Sequence, residues 1–171
     1  FDQYIWEGSI IQMDFAVAES AGSMDQSVFM QFLIDLSVDK DSEKSGKRQI
    51  SLMSAIGYLL HRYKDPATTK AVIIMDVYVN GQPNGGSGKT LLIKAIGNIR
   101  NLSIIDGKQY DQREWFGLSS VELESEILLF DDVVQNFDFE QIFPLMTTGI
   151  YIRRKHKSHI FIPFEQAPKV V

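Results

Sequence analysis

The sequence predicts an α/β fold: a three-layer domain on a largely parallel sheet, preceded by a mainly helical segment. Three observations carry this expectation. Beyond residue 67, short β-branched runs of strand length alternate with helical patterns, the rhythm of a parallel sheet covered by helices. Before residue 66, apolar residues recur at three- and four-residue steps. A glycine-rich loop then stands between the first strand-like run and the helix after it. The chain has 171 residues and a formal net charge of −5. That length suits one domain, or one domain with an appendage. With 44% hydrophobic and 23% charged residues, the composition is that of a globule able to bury a core. It has no cysteine, which excludes disulfides, thiolate zinc sites and cysteine nucleophiles. No apolar run approaches the ~20 residues that span a bilayer, so no membrane partner is expected.

In chain order, residues 1–20 are ambiguous, since Tyr4-Ile5-Trp6 and Ile10-Ile11 fit strand or helix alike. Val28, Phe29, Phe32, Leu33 and Leu36 mark a short helix. The very polar stretch from Val38 to Arg48 reads as an exposed connection. Leu52, Met53, Ile56, Leu59, Leu60 and Tyr63 form one apolar helical face. Asp65-Pro66 ends it, because proline disfavours helix in the residue before it. The expected division is a mainly helical segment over 1–66 and a core over 67–171. Within that core, residues 71–78 form a strand-length run and Leu91 to Ile99 a helix. Ser103-Ile104-Ile105 is a second strand and Glu126 to Phe130 a third. A helix follows from Phe137 to Met146, with Asn136 as its cap. Residues 150–154 and 159–162 form a hairpin around Lys155-His156-Lys157-Ser158. Lys169-Val170-Val171 reads as the opening of a buried strand, so a longer polypeptide with an incomplete sheet in this chain is expected. Trp6 and Trp115 are expected to be packing anchors, His61 a surface or cap residue, and Asp106 a turn residue.

Three constellations carry chemistry. The first is Asn84-Gly85-Gly86-Ser87-Gly88-Lys89-Thr90, placed after a strand and opening a helix. Small residues let the backbone wrap an anion and aim amides at it, and the helix start adds partial positive charge. Lys89 reaches the β- and γ-phosphates and Thr90 offers a hydroxyl to Mg²⁺. The usual spacing G-x-x-x-x-G-K-[ST] would place glycine at 83, where this chain has Pro83. The second is Asp131-Asp132, ending an apolar strand. Ligand groups gather at the carboxyl ends of parallel strands, so Asp131 is assigned to the metal and Asp132 to the attacking water. The third is the hairpin, where Arg153, Arg154, Lys155 and Lys157 cluster and no acid lies between Gly149 and Phe164. That is an electrostatic footprint for a polyanion. Tyr151 and Phe161 flank it, and alternation leaves open whether they stack on bases or are buried.

Taken in this order, the phosphate loop, the acidic pair, the run Thr147 to Lys157 and Pro168-Lys169-Val170-Val171 resemble the superfamily 3 helicase domain of phage- and plasmid-type primase-helicases. The likeness covers residues 71–171. It implies an AAA+-related P-loop NTPase fold. It also implies a DNA helicase activity that hydrolyses ATP with Mg²⁺ in replication, a hexameric ring around single-stranded DNA, and a cytoplasmic setting. On it, Lys89 and Thr90 match the phosphate and magnesium positions, Asp131 and Asp132 the acidic motif, and Arg154, Lys155 and Lys157 the DNA-contacting hairpin tip. Gly149 is followed by Ile150 where many members have Gly-Asp. The family's sensor asparagine and arginine finger fall beyond Val171, so slow or absent turnover is expected of this chain alone. Two other classes fit the same residues. One is another P-loop ATPase or a small-molecule kinase, which would need an arginine-rich lid. The other is a non-hydrolysing DNA-binding or assembly module.

Overall fold

The computed structural model describes residues 27–39, 41–76, 78–79, 82–83, 86–111, 113–114, 116–156 and 158–171. Trp6, Trp115, Asn84, Gly85, Lys157 and the ambiguous residues 1–20 lie outside them. The described residues fall into two compact units, one of residues 61–75 and 89–171 and one of residues 27–60 and 76–88.

The second unit holds two packed helices, α1 (Val28–Ser37) and α2 (Ser42–Leu59). Ser27 starts α1 by accepting a hydrogen bond from the Met30 amide at 2.9 Å. Asp41 starts α2 by accepting from the Glu43 amide at 3.0 Å. The stretch Val38 to Arg48 is therefore not the exposed connection that its polarity suggests, because from Ser42 it is helix. Its charges support the helix: Lys47 bonds Glu43 one turn back at 2.6 Å, and Arg48 bonds Asp39 at 2.6 Å. The same unit contains the short antiparallel pair β1 (Tyr78–Val79) and β2 (Gln82–Pro83).

The first unit is built on a parallel sheet of β3 (Leu102–Asp106), β4 (Ile127–Asp131) and β7 (Lys169–Val170), with β4 in the middle. The fold is thus mixed α/β with a small parallel sheet. Ile127 and Leu128 are fully buried, as a central strand requires. Helix α3 (Lys89–Ile96) buries Leu92, Ile93 and Ile96. A 3₁₀ turn over Phe139–Ile142 leads into α4 (Phe143–Thr147). The continuous helix expected there is broken because Pro144 lacks an amide hydrogen. The cap is Asp138, not Asn136: its carboxylate accepts from the Glu140 amide at 3.0 Å. The hairpin is β5 (Gly149–Ile152) paired antiparallel with β6 (Ile160–Pro163). Ile150, Ile152 and Ile162 point into a core shared with Leu128, Phe130, Leu145 and Val170. Each such aliphatic side chain contributes about 1.5–3 kcal/mol of burial.

The strand expected over 71–78 is the main departure. Residues 71–76 form no strand, although the Val72 amide donates to the Val170 carbonyl at 3.0 Å and so lies beside β7. Ile73 and Met75 are exposed, which a buried central strand would not allow. Among the described residues no helix is long and apolar enough to cross a membrane.

The amino end of the sheet is closed by amines. Lys169 is 3% exposed. Its Nζ donates to the His61 carbonyl at 2.5 Å and lies 3.1 Å from His61 Nδ1. Lys64 Nζ reciprocates by donating to the Ala167 carbonyl at 2.6 Å. His61 is exposed, as expected, and its carbonyl is part of this clamp. Glu126, also buried, accepts from Arg62 and Arg100, each at 3.1 Å, and from the Asn101 amide at 3.2 Å. Burial lowers the Lys169 amine to about 8, helped by the nearby charges of Arg100 and Lys64. Burial likewise lowers Lys64 to about 8, against the opposing pull of Glu165.

A lysine depressed in the folded state holds its proton less well there than in the unfolded chain. Between about pH 8 and 10 the unfolded chain therefore binds more protons, and stability rises with pH. Lys169→Met should remove about 1–3 kcal/mol of that rise, read as a flatter denaturation midpoint between pH 8 and 10 than in the wild type.

Candidate functional site

At the carboxyl end of the sheet, the structure brings Thr90 and Asp131 together. Thr90 lies in the first turn of α3, and its Oγ1 donates to Asp131 Oδ1 at 2.8 Å. Asp131 is the last residue of β4, opposite Asp106 of β3. The strand is buried to its last apolar residue, Phe130, and Asp131 is the first to reach partial exposure. The Asp131 carbonyl accepts from the Gly107 amide at 2.7 Å, so main chain and side chain are both fixed.

A hydroxyl and a carboxylate so placed fit a magnesium ion. Among the described residues no group of three or more His, Asp or Glu side chains converges. Mg²⁺ is commonly held by one or two carboxylates, with phosphate and water oxygens completing its octahedron. Thr90 and Asp131 would hold it, and the ion would neutralise phosphate charge. Lys89 is half-buried at the start of α3.

The loop residues just before α3 belong to the second unit. Gly86 and Gly88 have φ of +80° and +90°, a region that only glycine enters freely. A Cβ on Gly88 would also press on the Phe32 ring at 3.2 Å. Ser87 Oγ donates to Asp76 Oδ1 at 2.5 Å. The expected site residues Asn84 and Gly85 lie outside the described ones.

Asp132 does not join Thr90. It turns out of the strand at φ +58° and pairs with Lys108 just beyond β3. The hydrogen bond and charge of Asp132 raise the Lys108 amine above its ordinary value. Sequence reasoning missed Lys108, although its place after β3 puts it on the same edge of the sheet. Asp106 is the turn residue expected, its carboxylate accepting from the Lys108 amide at 2.9 Å.

At the hairpin, Lys155, His156 and His159 are exposed, and His156 turns the tip at φ +60°. Lys157 lies outside the described residues. Arg154 is different, with 18% of its side chain exposed and its guanidinium donating to Glu122 Oε2 at 2.6 Å and the Val121 carbonyl at 3.1 Å. It ties the root of the hairpin to the segment before β4. Arg154 and Lys155 line a shallow cleft of about 240 Å³ with Ser119 and Glu122. Glu122 was not foreseen, for nothing local marks a partner 32 residues away.

No protein-family model, no curated protein and no solved structure matches the chain.

The Arg154 tie has a measurable consequence. Arg154→Ala leaves the Val121 carbonyl without its guanidinium donor, while the 60%-exposed Glu122 is taken up by water, and should cost about 1 kcal/mol. Lys155→Ala, on the exposed tip, should stay within about 0.5 kcal/mol. Urea unfolding of the two variants separates them.

Proposed function

We propose that this chain is the nucleotide-binding core of an ATP-dependent DNA helicase or translocase, of the primase-helicase kind that replicates phage or mobile-element DNA. The observation that carries this reading is the Thr90–Asp131 hydrogen bond of 2.8 Å. It joins the last residue of the phosphate-loop motif to the acid that ends β4, 41 positions away, where a parallel sheet offers its ligand groups. In this reading the chain binds ATP. Lys89 binds its outer phosphates, and Thr90 and Asp131 hold Mg²⁺. Asp132 orients the attacking water, which requires it to leave Lys108. Lys155 and Lys157 contact single-stranded DNA in a ring, a hexamer, acting in the cytoplasm. Arg154 acts through the hairpin root.

ATP with Mg²⁺ should protect the 171-residue chain against thermal unfolding, because a ligand of the folded state alone raises its midpoint by mass action. Thr90→Ala should abolish the magnesium dependence of that shift. Lys89→Ala should end ATP turnover. Unchanged midpoints at millimolar nucleotide would count against the reading. The double variant Lys155→Ala, Lys157→Ala should weaken single-stranded DNA binding and reduce its salt slope by about 1.4.

A further inference from the structure

Resting on the nucleic-acid reading of the hairpin, we propose that Tyr151 and Phe161 form a stacking platform for unpaired bases, so that the hairpin binds bases as well as phosphates. The register of β5 and β6 sets Tyr151 directly opposite Phe161. Strand alternation sends Ile150, Ile152 and Ile162 inward, each fully buried, and leaves the two aromatics outward, 66% and 44% exposed. Their ring centroids are 4.5 Å apart with planes tilted by 35°. The contrast is with Phe130, which packs edge-on against Tyr110 with centroids 4.8 Å apart and is itself buried. Gly149 fixes one member of the outward pair. A Cβ there would lie 3.0 Å from Phe161 Cζ and 2.5 Å from the Ile162 carbonyl, so the bare glycine lets the Phe161 ring settle over the backbone. Tyr151 is the more open ring.

The surroundings say what would cover the pair. From Gly149 to Phe164 there is no acid, while Arg153, Lys155 and two histidines lie within eight residues of Tyr151. An apolar surface inside a cationic field suits a ligand with flat faces and a negative backbone. The patch is too small for a lasting protein contact. Two aromatic side chains bury at most about 500 Å², against the ~1,200 Å² or more of a stable interface. Every base offers a π-face, so the platform is indifferent to sequence. A duplex hides those faces, so it favours single strands.

The test measures binding of the 171-residue chain to a labelled oligo-dT strand and to an abasic strand of the same length. Tyr151→Ala should weaken oligo-dT binding about tenfold with an unchanged salt slope, since no phosphate contact is lost. Tyr151→Phe, which keeps the ring, should restore affinity. On the abasic strand the wild type and Tyr151→Ala should bind equally. If Tyr151→Ala binds oligo-dT like the wild type while Lys155→Ala does not, the platform is wrong and the hairpin reading survives. If neither substitution matters, both fall. If Tyr151→Ala changes only the sedimentation of the chain, the aromatics are a self-association surface and the proposal is overturned.

Discussion

The hydrogen bond from Thr90 to Asp131 is the constraint around which the first unit is arranged. It requires a strand buried along its length yet ending in a carboxylate that reaches solvent. The order Ile127-Leu128-Leu129-Phe130-Asp131 satisfies both demands, because β3 and β7 flank it and apolar side chains cover its faces. It also requires α3 to start where its first-turn hydroxyl meets that end. The helix is held in place by Leu92, Ile93 and Ile96, each nearly inaccessible.

The opposite end of the same sheet solves a different problem. There the chain buries amines, and each finds a carbonyl: Lys169 that of His61, Lys64 that of Ala167. The buried Glu126 gathers Arg62 and Arg100. Burying a charge is costly unless it is paired and hydrogen-bonded, and the reciprocal geometry limits that cost. The segment after α2 is thereby clamped to the start of β7 by groups 103 and 108 positions apart.

How much of this the sequence discloses depends on how local each cause is. β4 and the hairpin are legible, since a buried apolar run and a period-two alternation are local patterns. So is the helix over Val28–Ser37. The first turns of α2 are not. Paired charges at Glu43 and Lys47 stabilise a solvated helix, yet their composition is that of a loop. The run over 71–76 misleads in the other direction. β-branched residues favour a strand, but a ladder also needs a partner, and only Val72 is seen to pair with β7. Of the candidate site, the meeting of Thr90 with Asp131 is what the order of the motifs predicts. The pairing of Asp132 with Lys108 and of Arg154 with Glu122 is not, because each partner is far along the chain.

The anchoring of Arg154 bears on the mechanics of the hairpin. Glu122 takes the guanidinium, the Glu122 amide donates to Ser125 Oγ, and Ser125 meets Ser103 of β3 at 2.6 Å. An unbroken chain of polar contacts thus runs from the base of the protruding loop into the sheet. That run of contacts joins the loop to β3, whose last residue, Asp106, sits opposite Asp131.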